Sequence, residues 1–237
     1  MANSYFQFKQ FRVEQNQCAM KVCTDSCLFG AWVPVEKARS ILDIGTGTGL
    51  LALMAAQRSD AAIQAVEIET AAAEQANQNF LASPWANRLK LYQGSLQKFE
   101  QVNTSTYDFI ISNPPFYQAS QKSPDNARNQ ALHSIDLPFS NLLRFSQKFL
   151  APRGSVFLLL PPYEAQLVTA LASSYELFLQ KEVKIYTQKN GKYIRSILQF
   201  NFQQQTPEIA PAIYIRHEKN EYTNVFRQLL QPYYLIF

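Results

Sequence analysis

The chain has 237 residues, 47% of them hydrophobic, which suits one large α/β domain with a sizeable core. No apolar run approaches the roughly 20 residues that span a membrane, and Met1-Ala2-Asn3-Ser4-Tyr5-Phe6-Gln7 lacks the basic start of a signal peptide. A net charge of +4 permits a polyanionic partner without requiring one.

A cytoplasmic, monomeric protein with no membrane association is therefore expected. Cys18, Cys23 and Cys27, with His133 and His217, match no zinc framework, and an odd cysteine count argues against a disulfide scaffold. No metal is expected, and Cys27 reads as a small core residue.

Residues 4–22 alternate aromatic and polar side chains, predicting a strand with a hairpin partner near 18–22. Thr24-Asp25 offers an N-cap for an apolar helix. Ser40–Ile44 reads as a short buried strand, followed by a glycine-rich turn and a helix over Leu50–Arg58. Ala62–Ile68 is a second strand, and Thr70–Ala82 an alanine-rich helix capped by Thr70 and stopped at Pro84.

Strands are predicted at Arg88–Gln93, Tyr107–Ser112 and Ser155–Leu160, with helices at Asp136–Leu150 and Tyr163–Ser173. Two β-rich stretches, Tyr175–Tyr186 and Lys192–Phe202, flank Asn190-Gly191, a strong hairpin signal. The last residues, with a helix over Tyr222–Leu230 and an apolar end, are expected to pack back onto the body.

Alternating strands and helices imply right-handed βαβ units and a parallel sheet covered on both faces. A terminal antiparallel hairpin on a mostly parallel seven-stranded sheet is the layout of the methyltransferase variant of the Rossmann fold. One domain, 1–237, is expected, with an N-terminal hairpin and helix extension (1–35), a catalytic core (36–204) and a C-terminal extension (205–237).

Asp43-Ile44-Gly45-Thr46-Gly47-Thr48-Gly49 sits between the first sheet strand and its helix. Ligands of open α/β sheets bind beyond the carboxyl ends of strands at such turns. The spacing is G-x-G-x-G and not the dinucleotide fingerprint. Asp43 would face a pyrophosphate badly but suits a ligand with an α-ammonium group, such as S-adenosyl-L-methionine. Glu67 ends the second apolar strand where an acidic residue binds ribose hydroxyls; Glu69 is the nearby competitor.

Ile110-Ile111-Ser112-Asn113-Pro114-Pro115-Phe116 follows the fourth strand. Two prolines remove two backbone donors, so this loop exposes carbonyls. An adenine N6 amine is planar and a poor nucleophile, because its lone pair is delocalised into the ring. The Asn113 side-chain oxygen and the Pro114 carbonyl could accept its two hydrogens and favour pyramidalisation, while Phe116 stacks on the base. Holding nucleophile and methyl in line would supply much of the rate.

Over nearly its whole length the chain resembles the bacterial enzymes that methylate N6 of the adenosine at position 37 of valine tRNA. The likeness runs through Phe8-Lys9-Gln10-Phe11, Cys18-Ala19-Met20-Lys21-Val22, Leu42-Asp43-Ile44-Gly45 with Gly47 and Gly49, and Leu50-Leu51-Ala52-Leu53-Met54. It continues in Ala65-Val66-Glu67, Ser83-Pro84-Trp85-Ala86 and the Asn113–Phe116 motif.

The resemblance implies S-adenosyl-L-methionine as donor, S-adenosyl-L-homocysteine as product, and the valine tRNA anticodon loop as acceptor. It departs at Phe116, where the family usually has tyrosine, and at Ser95, where related enzymes place an aspartate near the cofactor adenine. Lys21 and Thr24 fall in a segment resembling the family's element that closes over the cofactor. Lys21 could meet the cofactor carboxylate or an RNA phosphate, and Asp25 could be only a helix cap.

Lys181, Lys184, Lys189, Lys192 and Arg195 cluster on or beside the terminal hairpin. They could grip tRNA phosphates or protect a solvated strand edge; Lys189, Lys192 and Arg195, with Pro115, are the candidate substrate contacts. A protein glutamine N5-methyltransferase shares the central motifs but carries a separate N-terminal helical domain. A DNA adenine methyltransferase would need a target-recognition domain, for which no segment is long enough. A non-catalytic RNA-binding module is disfavoured by the intact glycine turn.

Overall fold

The computed structural model describes residues 3–18, 20–114 and 139–237; Pro115, Phe116 and His133 lie outside them. The chain opens with a hairpin, β1 (Tyr5–Gln7) against β2 (Arg12–Glu14). The expected partner at 18–22 is therefore corrected: the strand turns back at Phe8–Phe11, where the Phe8 amide donates to the Phe11 carbonyl at 2.9 Å. No glycine or asparagine marks this turn. The stacked Phe8 and Phe11 rings, 4.5 Å apart, and the Gln7 side-chain amide on both carbonyls close it instead.

Helix α1 (Thr24–Trp32) follows, with Cys23 and not Thr24 as N-cap and with no side-chain capping bond. The parallel core alternates β3 (Ser40–Ile44), α2 (Leu50–Arg58), β4 (Ala62–Glu67), α3 (Thr70–Leu81) and β5 (Leu89–Gln93). Thr70 does not cap α3, which begins after Glu69; its hydroxyl accepts instead from the Gln93 side-chain amide. Next come α4 (Leu96–Val102), unforeseen in the sequence, β6 (Tyr107–Ser112), α5 (139–149), β7 (Leu150–Leu160) and α6 (Pro162–Ala172).

The antiparallel hairpin is β8 (Phe178–Gln188) and β9 (Tyr193–Asn201), followed by β10 (Glu208–Ile209), β11 (Ile213–Arg216) and α7 (Asn224–Leu230). The sheet runs β10-β8-β9-β7-β6-β3-β4-β5, with β11 also on β8, so it holds nine strands where seven were expected. The two additional strands are too short to show an alternating pattern. Both pair in parallel with β8 and cover its otherwise unpaired edge.

One buried cluster packs α1, α2, α3 and α7 on one face of the sheet, and a second packs α4, α5 and α6 on the other. The two chain ends meet on the first face. The Lys9 ammonium donates to the Gln231 and Phe237 carbonyls at 2.6 and 2.7 Å, and the buried Tyr233 hydroxyl donates to the Met54 carbonyl at 3.0 Å. Among the described residues no helix is long and apolar enough to cross a membrane.

Strand order reverses at β3, with β6 on one side and β4 on the other. Crevices open at such switch points beyond the strand ends. The β8–β9 hairpin runs past β7 at this same end, since Leu160 pairs with Ser196 while the hairpin continues to Tyr186 and Tyr193.

Gly49 joins this end of the sheet to α2 at φ 84°, and a Cβ there would stand 2.5 Å from Phe80 Cε1. Gly45 has φ 70° but open space where its Cβ would be. Gly45→Ala should cost about 1–2 kcal/mol, the backbone penalty alone. Gly49→Ala should cost about 2–4 kcal/mol because overpacking adds to it. Urea titrations of the two variants check the difference.

Candidate active site

The glycine turn leaves β3 and folds beneath the end of β4. The Gly45 and Thr46 amides donate to the Val66 carbonyl at 2.9 and 3.1 Å, and the Gly49 amide donates to the Thr46 carbonyl at 2.9 Å. Gly45 and Gly47 have no neighbour within 4 Å of where a Cβ would stand, so their outer face is open to a ligand.

Asp43 is wholly buried beneath this turn. Its Oδ2 accepts the Thr46 hydroxyl at 2.6 Å, while Oδ1 is buried with no hydrogen bond of good geometry. Burial pushes this carboxyl up to about 7; the Thr46 hydroxyl and the Ala52 backbone pull it back, and the Glu67 charge adds to the rise. A buried carboxylate with an unused oxygen favours a cation nearby. Its charge acts from below the turn, and Asp43 is not an open ligand on the crevice wall.

Glu67, also buried, closes the second side. Oε2 accepts the Gly47 amide at 2.8 Å, and Oε1 accepts the Ile68 and Glu69 amides at 2.8 and 3.0 Å. Glu67 thus points into the turn, whereas Glu69 contributes only its backbone. Helix α3 fastens the same region through two buried amides. Asn79 donates to the Thr48 and Glu14 carbonyls, both at 2.9 Å, and accepts the Glu14 amide at 2.9 Å. Gln75 accepts the Gln17 amide at 3.3 Å. Asn79, Gln75 and Phe80 escaped the sequence reading; two polar residues on the apolar stripe of an alanine-rich helix were the available signal.

The acceptor loop leaves β6, whose last residue pairs with Ile44 of β3. The buried Ser112 hydroxyl donates to the Ile44 carbonyl at 2.7 Å, tying the two strand ends together. Asn113 follows immediately. Its Nδ2 donates to the Ser26 hydroxyl of α1 at 2.8 Å, and its Oδ1 is buried without a hydrogen-bond partner among the described residues. Ser26 was another residue the sequence reading missed. Pro114 is half-buried beside it.

This arrangement sets a glycine cradle over buried negative charge against a loop bearing an unused acceptor. The model for the Methyltransferase small domain matches residues 18–186. Proteins named tRNA1(Val) (adenine(37)-N6)-methyltransferase match end to end. The one from Christiangramia forsetii is 41% identical and the one from Cytophaga hutchinsonii 42%, each over 99% of both chains. The chain belongs to the tRNA1(Val) (adenine(37)-N6)-methyltransferase family.

Likeness to solved structures shows the fold. An Agrobacterium tumefaciens protein described as a predicted O-methyltransferase superposes with TM-score 0.70 at 15% identity, over 88% of this chain and 96% of that one. TrmN from Thermus thermophilus gives 0.52 at 19% identity, over 75% and 47%.

In this family member the remaining candidates are dispersed. The Lys21 ammonium donates to the Gln15 carbonyl, and the Gln15 side chain accepts the Val22 amide at 2.8 Å, so Lys21 is turned to Gln15. Thr24 is exposed at the first turn of α1. Ser95 caps α4, its hydroxyl accepting the Lys98 amide at 3.2 Å, and it lies one residue past Gly94, whose amide donates to the Glu67 carbonyl at 2.8 Å. Lys189 and Lys192 are exposed at the β8–β9 tip. Arg195 is not with them: its guanidinium meets Asp25 at 3.0 Å beside α1. Asp25 is therefore more than a helix cap, since its Oδ1 also accepts the Ser26 amide at 3.0 Å.

The buried Asp43 carboxyl makes stability depend on pH. Below its unfolded value of 3.8 both states carry the proton; between there and about 7 only the folded state keeps it. The folded state then binds more protons than the unfolded one, so stability falls as pH rises through that window. Asp43→Asn should flatten this fall and lose less stability than the wild type between pH 4 and pH 8. Denaturant melts across pH 4–8 check it.

Proposed function

We propose that the chain transfers a methyl group from S-adenosyl-L-methionine to N6 of adenosine 37 in the anticodon loop of valine tRNA, in the cytoplasm. The observation that carries this reading is the Asn113 amide, held by its Nδ2 with its Oδ1 buried and unused at the end of β6. The full-length relatives named for this reaction support the choice of acceptor.

When bound, S-adenosyl-L-methionine supplies an electrophilic methyl group and leaves as S-adenosyl-L-homocysteine. The cradle of Gly45, Gly47 and Gly49 would take its amino-acid end, with the Asp43 charge beneath favouring the ammonium. Glu67 orders the cradle through the Gly47 amide and is the residue for the ribose hydroxyls. Ser95, just past the end of the neighbouring strand, would offer its hydroxyl to the adenine.

Asn113 Oδ1 and the Pro114 carbonyl would each accept one hydrogen of the adenine amine. Two acceptors on one nitrogen favour its pyramidal form, which takes the lone pair out of conjugation with the ring and aims it away from both. The proton leaves after the new N–C bond has formed, so no strong base is required. Pro115 and Phe116 complete this reading as base contacts. Lys21 and Thr24 stand on the segment that would close over the donor.

Asn113→Ala should lower methylation of a valine tRNA transcript by about 100-fold or more, the scale of losing a group aimed at the reacting centre. Affinity for S-adenosyl-L-methionine should stay within about twofold. N6-methyladenosine is read by mass spectrometry of the digested tRNA. Substantial N6-methyladenosine from this variant, or methylation of a glutamine peptide by the wild type, would overturn the reading.

Neutralising Lys189 and Lys192 together should weaken tRNA binding and flatten its salt dependence by a slope of about 1–2, as expected for two lost phosphate contacts. Filter binding between low and physiological salt measures it.

A further inference from the structure

An asparagine amide has two edges of nearly equal shape and opposite hydrogen-bonding sense. With Oδ1 outward, Asn113 accepts a hydrogen from an amine; with Nδ2 outward it opposes one. Among the described residues no backbone group bonds either edge, so a neighbouring side chain must choose. Ser26 is the side chain in contact, buried on the first turn of α1.

A serine hydroxyl can donate or accept, and so cannot choose alone. Its surroundings fix the sense. Ser26 Oγ lies 2.9 Å from Cys23 Sγ. The Cys23 thiol is pushed up to about 11, first by burial and then by the charge and hydrogen bond of Asp25, whose Oδ1 also accepts the Ser26 amide at 3.0 Å. The Ser26 oxygen accepts from Asn113 Nδ2 at 2.8 Å, which leaves its own proton for the Cys23 sulfur. Asp25 is itself paired with Arg195, whose guanidinium stands 3.0 Å from its Oδ2, with side chains only 27% and 14% exposed.

We propose that Ser26 is a positioning residue that sets the Asn113 amide with Oδ1 toward the amine, and that Arg195 on β9 fixes the sense of the donor chain through Asp25 and Cys23. The proposal rests on the reading of Asn113 as the amine acceptor. It also takes Arg195 out of the tRNA phosphate contacts and gives it a role at the reacting centre across the helix.

Single-turnover methylation of valine tRNA, at saturating donor and tRNA, tests it. Ser26→Ala should react about 10- to 100-fold more slowly, the range set by misplacing a reacting group. Its affinities for donor and tRNA should stay within about twofold, and Ser26→Thr, which restores a hydroxyl, should recover most of the rate. Arg195→Gln should slow the same step while the salt dependence of tRNA binding is unchanged.

The proposal fails if Ser26→Ala reacts at the wild-type rate, or if its rate falls only together with donor affinity. It fails equally if Arg195→Gln keeps the rate and loses a phosphate-like salt slope. Should Ser26→Ala not fold, the Arg195→Gln arm decides alone. Active Asn113→Ala overturns the acceptor reading itself; inactive Asn113→Ala beside fully active Ser26→Ala overturns only the positioning role.

Discussion

Parallel pairing of β3 with β6 is the constraint on which the site depends. Asp43 lies opposite Ile111 and Ile44 opposite Ser112, with the Ser112 hydroxyl closing the pair onto the Ile44 carbonyl. Neighbouring strands stand about 4.8 Å apart, so the residues that next leave the sheet, Gly45 and Asn113, emerge side by side. On the proposed reading one is the cradle of the donor and the other the grip on the acceptor. Their separation is a property of the sheet, and no loop has to find it.

The same economy governs the cover. Asn79 and Gln75 are buried amides on an otherwise small-residue helix, and an unpaired buried amide costs about 1–3 kcal/mol. Part of their bonding comes from the β2 strand and Gln17, which supply backbone partners. Burial of α3 against the sheet therefore also fixes the N-terminal hairpin over the glycine turn. The end of the chain reinforces that placement, because Lys9 and Tyr233 bind the two extensions to each other and to α2.

Much of this was legible in the sequence. Glycines with a preceding aspartate, an acidic residue ending the next strand, and an asparagine followed by prolines are local patterns, and local patterns survive reading in one dimension. What escaped is of another kind. Ser26 meets Asn113 across 87 positions and Asn79 meets Glu14 across 65, and nothing local to Ser26 or Asn79 names its partner. Arg195 looked like one more basic residue of a lysine-rich hairpin until the register turned its side chain toward α1. The hairpin turn at Phe8–Phe11 failed for a related reason: two stacking phenylalanines, not a glycine, make it. Helix α4 was missed because seven residues hold too little periodicity.

The acceptor loop also separates this chemistry from that of its structural neighbours. The fold it shares with a protein described as an O-methyltransferase says nothing of the nucleophile. A hydroxyl nucleophile has one hydrogen to give and gains from a base or a donor that balances its charge. The loop here offers an amide oxygen and prolines that cannot donate. On the proposed reading it suits a nitrogen with two hydrogens, provided the amide is turned the right way. Asn113 alone does not guarantee that, since its two edges differ by a rotation. Selectivity for an amine then resides as much in the residues that hold Nδ2 as in the oxygen that faces the substrate.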